Sequence, residues 1–330
     1  MAAIDTKKIF ETVVIDAGGR YGMHPTWKGF SGELRYFIFE PDPDEAARLA
    51  DKYERDGRIK VEPYALSDQP GEVSMRVLSH HGQSSLFTPN LASNWFGKTR
   101  VGEGEMLSQY QVRATTIDEY CLTHRLAPDF LKSDTEGSEM LVLRGAGQCL
   151  DRLLGLRCET QFESVFLGAP TFADIFMYLT QRGFMLLNLD YAGRGSPCNK
   201  FYAGDRYGIL TGSDAVWVRK PEEIMAWEGN EVKKMARSAK YAIFCFANGA
   251  TDLAMHMILL ARQNLGSSME VLTGTKLLAS LDLAVQRLFY QLLQHPAYAR
   301  AELEDIYVSL FARPLKRCHE FFESNEFNPT

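Results

Sequence analysis

The sequence predicts an α/β fold: a mostly parallel sheet with helices on both faces, followed by an all-helical C-terminal extension. First, apolar strand patterns alternate with helical patterns from about residue 12 to residue 190, as parallel strands joined by helices require. Second, acidic residues stand at or just past the ends of several strands. Third, the patterns after Pro221 are helical only. Residues 1–220 and 221–330 are therefore predicted to form two regions.

Short apolar segments bounded by turn residues identify the strands, and apolar residues at helical spacing identify the helices. The predicted strands are Val13–Asp16, Tyr36–Glu40, Ile59–Ala65, Glu72–Leu78, Val112–Thr116, Phe130–Asp134, Leu153–Glu159, Phe184–Asp190 and Ala215–Arg219. The predicted helices are Pro25–Phe30, Asp44–Arg55 (capped by Asp44), Ile117–His124, Gly137–Gly145, Phe172–Arg182, Val232–Ala247, Asp252–Asn264, Lys276–Gln294 and Tyr298–Ala312. Residues 79–110 are polar and irregular, which predicts a long loop with a functional role.

The most informative stretch is a buried strand that runs into a glycine-rich turn, V-V-I-D-A-G-G-R-Y-G at residues 13–22. Glycines at 18, 19 and 22 let the backbone approach a ligand closely. A dinucleotide loop, G-x-G-x-x-G, would need a glycine where Ala17 stands. The carboxylate of Asp16 would also repel a pyrophosphate. The pattern resembles the cofactor loop of class I methyltransferases, which bind S-adenosylmethionine (SAM).

Several further motifs occur in the order seen in one family. They are F-E-P-D-P (39–43), A-L-S-D (65–68), S-S-L (84–86), T-T-I-D-E-Y (115–120), D-F-L-K-S-D-T-E-G-S-E (129–139), E-T-Q-F-E-S-V-F (159–166) and R-G-F-M-L-L (182–187). Over about residues 12–190 the chain thereby resembles FkbM-family SAM-dependent methyltransferases. It departs from the family pattern at Gly19-Arg20, where Ala-Asn is common, and at Ser133, where an apolar residue is usual. The resemblance implies a Rossmann-like class I methyltransferase fold.

The resemblance also implies SAM as the cofactor and methyl transfer to a hydroxyl of a sugar, glycan or secondary metabolite. A carboxylate at Glu40, 24 residues after Asp16, would accept the ribose hydroxyls, although an acid flanking the next helix is the alternative. Ser67 and Asp68 would read the adenine edge, or form an ordinary turn before Gly71. The predicted cofactor-binding residues are Asp16, Ala17, Gly18, Gly19, Gly22, Glu40, Ser67, Asp68 and Asp134.

The acceptor hydroxyl must lose its proton to a general base or through a metal. Asp134 ends a strand where the methyl group should lie and is the first candidate for the acceptor-side acid. Glu136 and His81 are the further catalytic candidates, with a helix-terminus role for Glu136 and a solvated loop position for His81 as alternatives. Glu159 and Glu163 could complete a divalent-metal site with Asp134. That spacing is not diagnostic, so no metal ligand is assigned.

The amino-acid composition limits the kinds of partner and the cellular location expected for this protein. A net charge of −6 argues against nucleic-acid binding. The six cysteines include no C-x-x-C pair, which favours reduced thiols and a cytoplasmic location. A first strand at about Thr12 leaves no room for a signal peptide, and no apolar run is long enough to span a membrane. The partners expected are therefore a small-molecule or glycan substrate.

The helical segment after residue 220 is expected to add core to the same subunit, with a cap or a homo-oligomer contact as alternatives. Two other functions stay open. One is a non-catalytic SAM-binding or assembly module on the same fold, suggested by the departures at Arg20 and Ser133. The other is a nicotinamide-dependent oxidoreductase, which Ala17 argues against.

Overall fold

The computed structural model describes residues 9–30, 34–97, 100, 102–195, 208–265 and 275–293. Its strands in chain order are β1 (Thr12–Ala17), β2 (Leu34–Phe39), β3 (Ile59–Glu62), β4 (Ala65–Leu66), β5 (Gly71–Leu78), β6 (Thr88–Pro89), β7 (Met106–Thr115), β8 (Phe130–Ser133), β9 (Gly155–Gln161), β10 (Phe166–Leu167), β11 (Phe184–Gly195) and β12 (Ile209–Arg219).

Seven of these strands form the central sheet, in the order β11-β12-β9-β8-β1-β2-β3. Strands β3, β2, β1, β8 and β9 pair in parallel, and β12 runs antiparallel to β9 and to β11. In chain order the central sheet grows from β1 to β2 and β3 on one side. It then continues with β8 and β9 on the other side of β1, so the strand order reverses beside β1. Ligands in such sheets bind at the carboxyl ends of the strands flanking this reversal.

A three-stranded sheet, β4-β7-β5, and the short pair β10-β6 lie outside the central sheet. The single strand predicted at 59–65 is therefore two strands in different sheets, because Pro63 interrupts the ladder. The predicted loop 79–110 contains a short 3-10 helix, His81–Gln83, strand β6 and the first half of β7. That half of β7 is mostly exposed, so its sequence lacks the apolar alternation that marks a strand.

Most α-helices of the described ranges lie where the sequence predicts them. The helices are α1 (Pro43–Tyr53), α2 (Ile117–His124), α3 (Glu139–Gly145), α4 (Gly147–Leu150), α5 (Phe172–Gln181), α6 (Pro221–Ala226), α7 (Glu231–Ala247), α8 (Thr251–Leu265) and α9 (Lys276–Leu293). The short helices α4 and α6 were not predicted, and α3 begins two residues later than expected. The cap of α1 is Asp42 rather than Asp44, since Asp42 accepts hydrogen bonds from the backbone N–H groups of residues 44 and 45. The predicted helix 298–312 lies outside the described residues.

Different helices cover the two faces of the central sheet. Helices α2, α3 and α5 pack on one face. On the other face, the described part of the connection between β1 and β2 contains a six-residue 3-10 helix, Pro25–Phe30. It packs there together with α7–α9 and with residues of α1 and α6. Phe244 of α7 stacks on Phe130 at 4.6 Å and on Trp27 at 5.5 Å between ring centroids. Burial of an aromatic ring of this size contributes roughly 2–3 kcal/mol.

These features confirm the predicted α/β fold with a helical C-terminal region. None of the helices in the described part of the chain is long and apolar enough to cross a membrane.

Candidate active site

A cleft lies at the carboxyl ends of β1, β2 and β8. Gly18 and Glu40 line it, and together with the turn 18–22 we call them the glycine end. Asp134 and Glu136 also line it, and with Glu159 we call them the acidic end. Met75 of β5 lies in the wall that the three-stranded sheet adds.

The glycine-rich turn is folded against the neighbouring strand ends. Gly18 has a φ of +76°, and a Cβ added there would overlap the carbonyl oxygen of Asp134. The N–H groups of Gly18 and Gly19 donate to the carbonyl of Phe39 at 3.0 and 3.3 Å. Gly22 has a φ of +87°. Side chains at these positions would therefore strain the turn or push it away from β8.

Asp16 lies beneath this turn and is fully buried, and it does not line the cleft. One carboxylate oxygen accepts a hydrogen bond from the hydroxyl of Tyr36, and the other accepts one from Lys132 Nζ at 3.1 Å. Burial raises the pKa of Asp16, and the nearby Lys132 ammonium lowers it in part. Both oxygens are thus engaged by protein donors, and a direct contact with a ligand stays a prediction. Ala17 ends β1 and is buried in the core.

Glu40 follows β2 and is 3% exposed, yet it lines the cleft. Its Oε1 accepts a hydrogen bond from the backbone N–H of Asp42 at 2.9 Å. Burial raises the pKa of Glu40 to about 7, with the Asp42 N–H and the Arg20 charge acting in the opposite direction. An acid with this pKa changes charge near neutral pH, as ligand-binding groups often do.

Ser67 and Asp68 lie beyond the residues that line this part of the cleft, which are Ala65 and Leu66. The Ser67 hydroxyl donates to Asp68 at 3.3 Å. The structure therefore does not bring these two side chains into the cleft wall, and their predicted contact with adenine stays untested.

The turn after β8 contains Asp134 and Glu136 of the acidic end. Glu136 adopts the left-handed region with a φ of +53°, which is uncommon for a residue other than glycine and concentrates at functional sites. Its carbonyl accepts a hydrogen bond from Ser85 Oγ at 2.5 Å. The Glu139 carboxylate accepts from the N–H groups of Thr135 at 2.7 Å and Gly137 at 3.0 Å. Glu139 thus holds the turn, while Asp134 and Glu136 face the cleft.

Asp134, Glu136 and Glu159 each place a carboxylate oxygen within 4.8 Å of the others. Burial raises the pKa of Glu136 and of Glu159, and their neighbouring carboxylates raise both further. The donor set of three carboxylates suits a hard divalent cation. Glu163, which sequence spacing suggested for such a set, instead accepts hydrogen bonds from Asn94 Nδ2 at 2.7 Å and the Trp95 N–H at 2.9 Å.

Two histidines, His81 and His24, differ in their relation to the cleft. His81 lines the cleft, so the structure brings all three predicted catalytic residues, Asp134, Glu136 and His81, to one cleft. His24 does not line it. Burial, then the positive charges of Arg157 and Lys132, lower the pKa of His24 to about 4.

Two residues beside the predicted site residues, Lys132 and Arg20, had no binding or catalytic role assigned from the sequence, although Arg20 stood out as a departure from the family pattern. Lys132 Nζ lies 3.1 Å from Asp16 and 3.4 Å from Asp134, and therefore links the two ends of the cleft. A lysine inside the apolar strand pattern of β8 was the available signal, because a buried lysine needs an acidic partner. Arg20 lines the cleft and contacts Asp42 at 3.3 Å.

The parallel sheet, the glycine-rich turn after β1, the acid after β2 and the acids after β8 agree with the class I methyltransferase fold that the sequence predicts. Residues 16–186 match the family described as Methyltransferase FkbM domain. The chain belongs to the FkbM methyltransferase family. No curated protein sequence matches it.

Solved structures with a similar fold include methyltransferases of several kinds. One is a methyltransferase FkbM from Methylobacillus flagellatus KT, with 16% identity, a TM-score of 0.38 and coverage of 63% of this chain and 44% of that one. The chain thus spans less than half of that protein. An rRNA methylase from Streptococcus thermophilus shares 10% identity, with a TM-score of 0.32 and coverage of 66% and 98%. A precorrin-6y C5,15-methyltransferase from Geobacter metallireducens GS-15 shares 9% identity, with a TM-score of 0.31 and coverage of 65% and 86%.

Proposed function

We propose that this protein is a SAM-dependent O-methyltransferase that methylates a hydroxyl of a sugar, glycan or secondary metabolite. The observation that carries the proposal is the cleft itself. It joins a glycine-rich turn and a buried strand-end acid, Glu40, to a cluster of carboxylates next to the same turn. Membership of the FkbM family supports the same reaction.

The residues of the glycine end fit the parts of SAM. Glu40 is positioned to accept hydrogen bonds from the ribose hydroxyls. Gly18 has no Cβ, so the turn packs directly against the Asp134 carbonyl, next to the carboxylates after β8. Leu66, Met75 and Leu86 provide apolar surface for the adenine ring. The negative charge around this cleft favours a cofactor that carries a sulfonium and an ammonium group.

Bound SAM would supply a methyl group on a positively charged sulfur, which is already an activated leaving group. The protein then has to align the acceptor and remove its proton. Asp134 and Glu136 are the proposed proton acceptors at the acidic end, and His81, which also lines the cleft, is the third candidate. The acceptor oxygen forms the new C–O bond, the C–S bond breaks with its electrons on sulfur, and the hydroxyl proton passes to the carboxylate.

Several finer assignments belong to the same proposal. Residues 1–220 would hold the cofactor and the acceptor, and residues 221–330 would act as a helical cap or an oligomer contact. The substrate would be a small molecule or a glycan rather than a nucleic acid. The free thiols of Cys121, Cys149, Cys158 and Cys245 support a cytoplasmic location.

The first test is binding of S-adenosylhomocysteine (SAH), the demethylated product, measured by calorimetry. We expect micromolar binding by the wild-type chain. The variant Gly18→Ala should lose at least about 100-fold in affinity, because the added Cβ overlaps Asp134 and the φ is positive. Gly57→Ala is the matched control, since nothing lies within 4 Å of its Cβ position.

The second test is transfer of a radiolabelled methyl group to panels of sugars, glycans and hydroxylated metabolites. Transfer to at least one hydroxyl is expected. Wild-type protein that binds neither SAM nor SAH contradicts the proposal, and binding without transfer to any acceptor class favours the non-catalytic alternative.

A further inference from the structure

Arg20 connects the glycine-rich turn after β1 to the acidic turn after β2. Its Nη1 lies 3.3 Å from Asp42 Oδ2, and its Nη2 lies 3.9 Å from Glu45 Oε2. Its carbonyl accepts a hydrogen bond from Arg48 Nη2 at 3.3 Å. The side chain is 20% exposed and lines the cleft together with Glu40. The Arg20 guanidinium therefore links the turn after β1 to the turn after β2.

Asp42 extends this connection to Glu40. Its backbone N–H donates to Glu40 Oε1 at 2.9 Å, while its Oδ1 accepts from the N–H groups of Asp44 and Glu45 at the start of α1. The position of Asp42 is thus fixed by the helix on one side and by Arg20 on the other. A change at Arg20 acts on the acid that is proposed to hold the ribose.

We propose that Arg20 is a positioning residue for cofactor binding, which holds the two loops together and supplies the positive charge that keeps Glu40 anionic against the ribose hydroxyls. The inference rests on the proposed function, because the ribose is that of SAM. An anionic carboxylate accepts hydrogen bonds about twice as strong as those of a neutral carboxyl group. The charge on Glu40 therefore matters for affinity.

Arg20 is the group near Glu40 that can supply the positive charge. Among the described charged groups that act on Glu40, Asp42 and Glu45 are anions and Arg20 is a cation. The Tyr110 hydroxyl is the other titratable neighbour, and burial and the charges of Asp42 and Glu40 raise its pKa. Burial already brings the pKa of Glu40 to about 7. Loss of Arg20 would raise it further and leave less of the anion at neutral pH.

The test is SAH affinity of the full chain at pH 6.0, 7.5 and 9.0 by calorimetry. If the Glu40 pKa rises by one pH unit, the lost anion in Arg20→Met should weaken binding about ninefold at pH 6.0, about threefold at pH 7.5 and hardly at pH 9.0. The loss from separating the two loops should be equal at all three pH values. Arg20→Lys keeps the charge and should restore most of the affinity and the wild-type pH profile. Arg55→Met, at an exposed arginine of the same surface region, is the matched control and should change nothing.

Glu40→Gln separates the charge effect from folding. In this background binding should be weak and independent of pH, and adding Arg20→Met should produce no further pH-dependent loss. A loss in Arg20→Met that is equal at all three pH values overturns the charge role of Arg20 and leaves only its link between the two loops, and no loss at any pH overturns both roles. Wild-type protein that binds no SAH at any pH overturns the proposed function and this inference with it.

Discussion

The two ends of the cleft differ in how their carboxylates are paired. Near the glycine end, Asp16 is paired with Lys132 and Tyr36, and Glu40 accepts a backbone N–H and lies in the field of Arg20. At the acidic end Asp134 also contacts Lys132, at 3.4 Å. Glu136 and Glu159 form no ion pair within the described part of the chain, and burial and mutual repulsion raise the pKa of both.

This difference suggests what each end contributes. Buried carboxylates that are fully paired fix their loops before a ligand arrives, and removing a partner is costly. Buried carboxylates without a cation make the free protein less stable, and such arrangements concentrate where charge is needed for function. We therefore expect substitutions near the glycine end to change stability and cofactor affinity, and substitutions at the acidic end to change the rate of methyl transfer.

The largest expected effect is on catalysis at the acidic end. Asp134→Asn and Glu136→Gln should each reduce kcat for an acceptor found in the panel by about 10²- to 10⁴-fold, because a positioned proton acceptor contributes that much. SAH affinity should stay within about threefold of wild type. Asp51→Asn, at an exposed position of α1, is the control for loss of one charge. Transfer rates near the wild-type value in both variants would place the proton acceptor elsewhere, with His81 as the next residue to replace.

The next effect is on stability beneath the glycine end. Lys132→Met should lower the free energy of unfolding by about 3–5 kcal/mol, since it leaves the buried Asp16 without its cation. Urea denaturation measures this, and the double variant with Asp16→Asn should recover part of the loss. Lys60→Met is the control, because its ion pair with Glu62 at 2.6 Å involves a lysine side chain that is 54% exposed and should contribute less than about 1 kcal/mol. Equal losses in the two lysine variants would mean that burial of the pair does not matter.

The sequence allowed the local parts of this structure to be predicted. The apolar run before Asp16 and the glycines after it identify β1 and its turn, and the acid at Glu40 marks the end of β2. These features have local signatures, since strand termini and glycine turns are specified by neighbouring residues. The longer helices also have regular apolar spacing and lie within a few residues of their predicted bounds, whereas the short helices α4 and α6 were not predicted.

Long-range pairings were not predictable in the same way. Lys132 and Asp16 are 116 residues apart, and only the register of β1 beside β8 brings them together. Strand β4 has two residues and pairs with β7, from Ala65 to Ala114, so nothing local identifies their sheet. The choice of Glu136 rather than Glu163 at the acidic end depends on a left-handed turn and on the hydrogen bonds from Asn94 and Trp95.

At the acidic end, a substitution should change the free energy of unfolding by less than Lys132→Met and in the opposite direction. Glu159→Gln should raise the free energy of unfolding by about 1–2 kcal/mol at pH 8, because it removes an unpaired carboxylate. A raised pKa means that the folded wild type binds more protons than the unfolded chain, so its stability falls as pH rises. The gain in the variant should therefore be greatest at pH 8 and vanish below about pH 4, where the carboxyl group is protonated in the folded and the unfolded state. Glu72→Gln, at an exposed position, should show no such trend, and a destabilised Glu159→Gln at pH 8 would contradict the contrast between the two ends.

The smallest expected effect separates hydrogen bonding from charge beneath the glycine end. Tyr36→Phe removes the hydroxyl that donates to Asp16 but leaves the Lys132 ammonium in place, so the loss should be about 1 kcal/mol in the free energy of unfolding. SAH affinity should change less than about threefold. Tyr178→Phe is the control, because its hydroxyl donates to the Leu143 carbonyl at the longer distance of 3.4 Å. A loss as large as that of Lys132→Met would mean that Asp16 is held chiefly by the hydroxyl, and the ion pair would then no longer account for the difference between the two ends of the cleft.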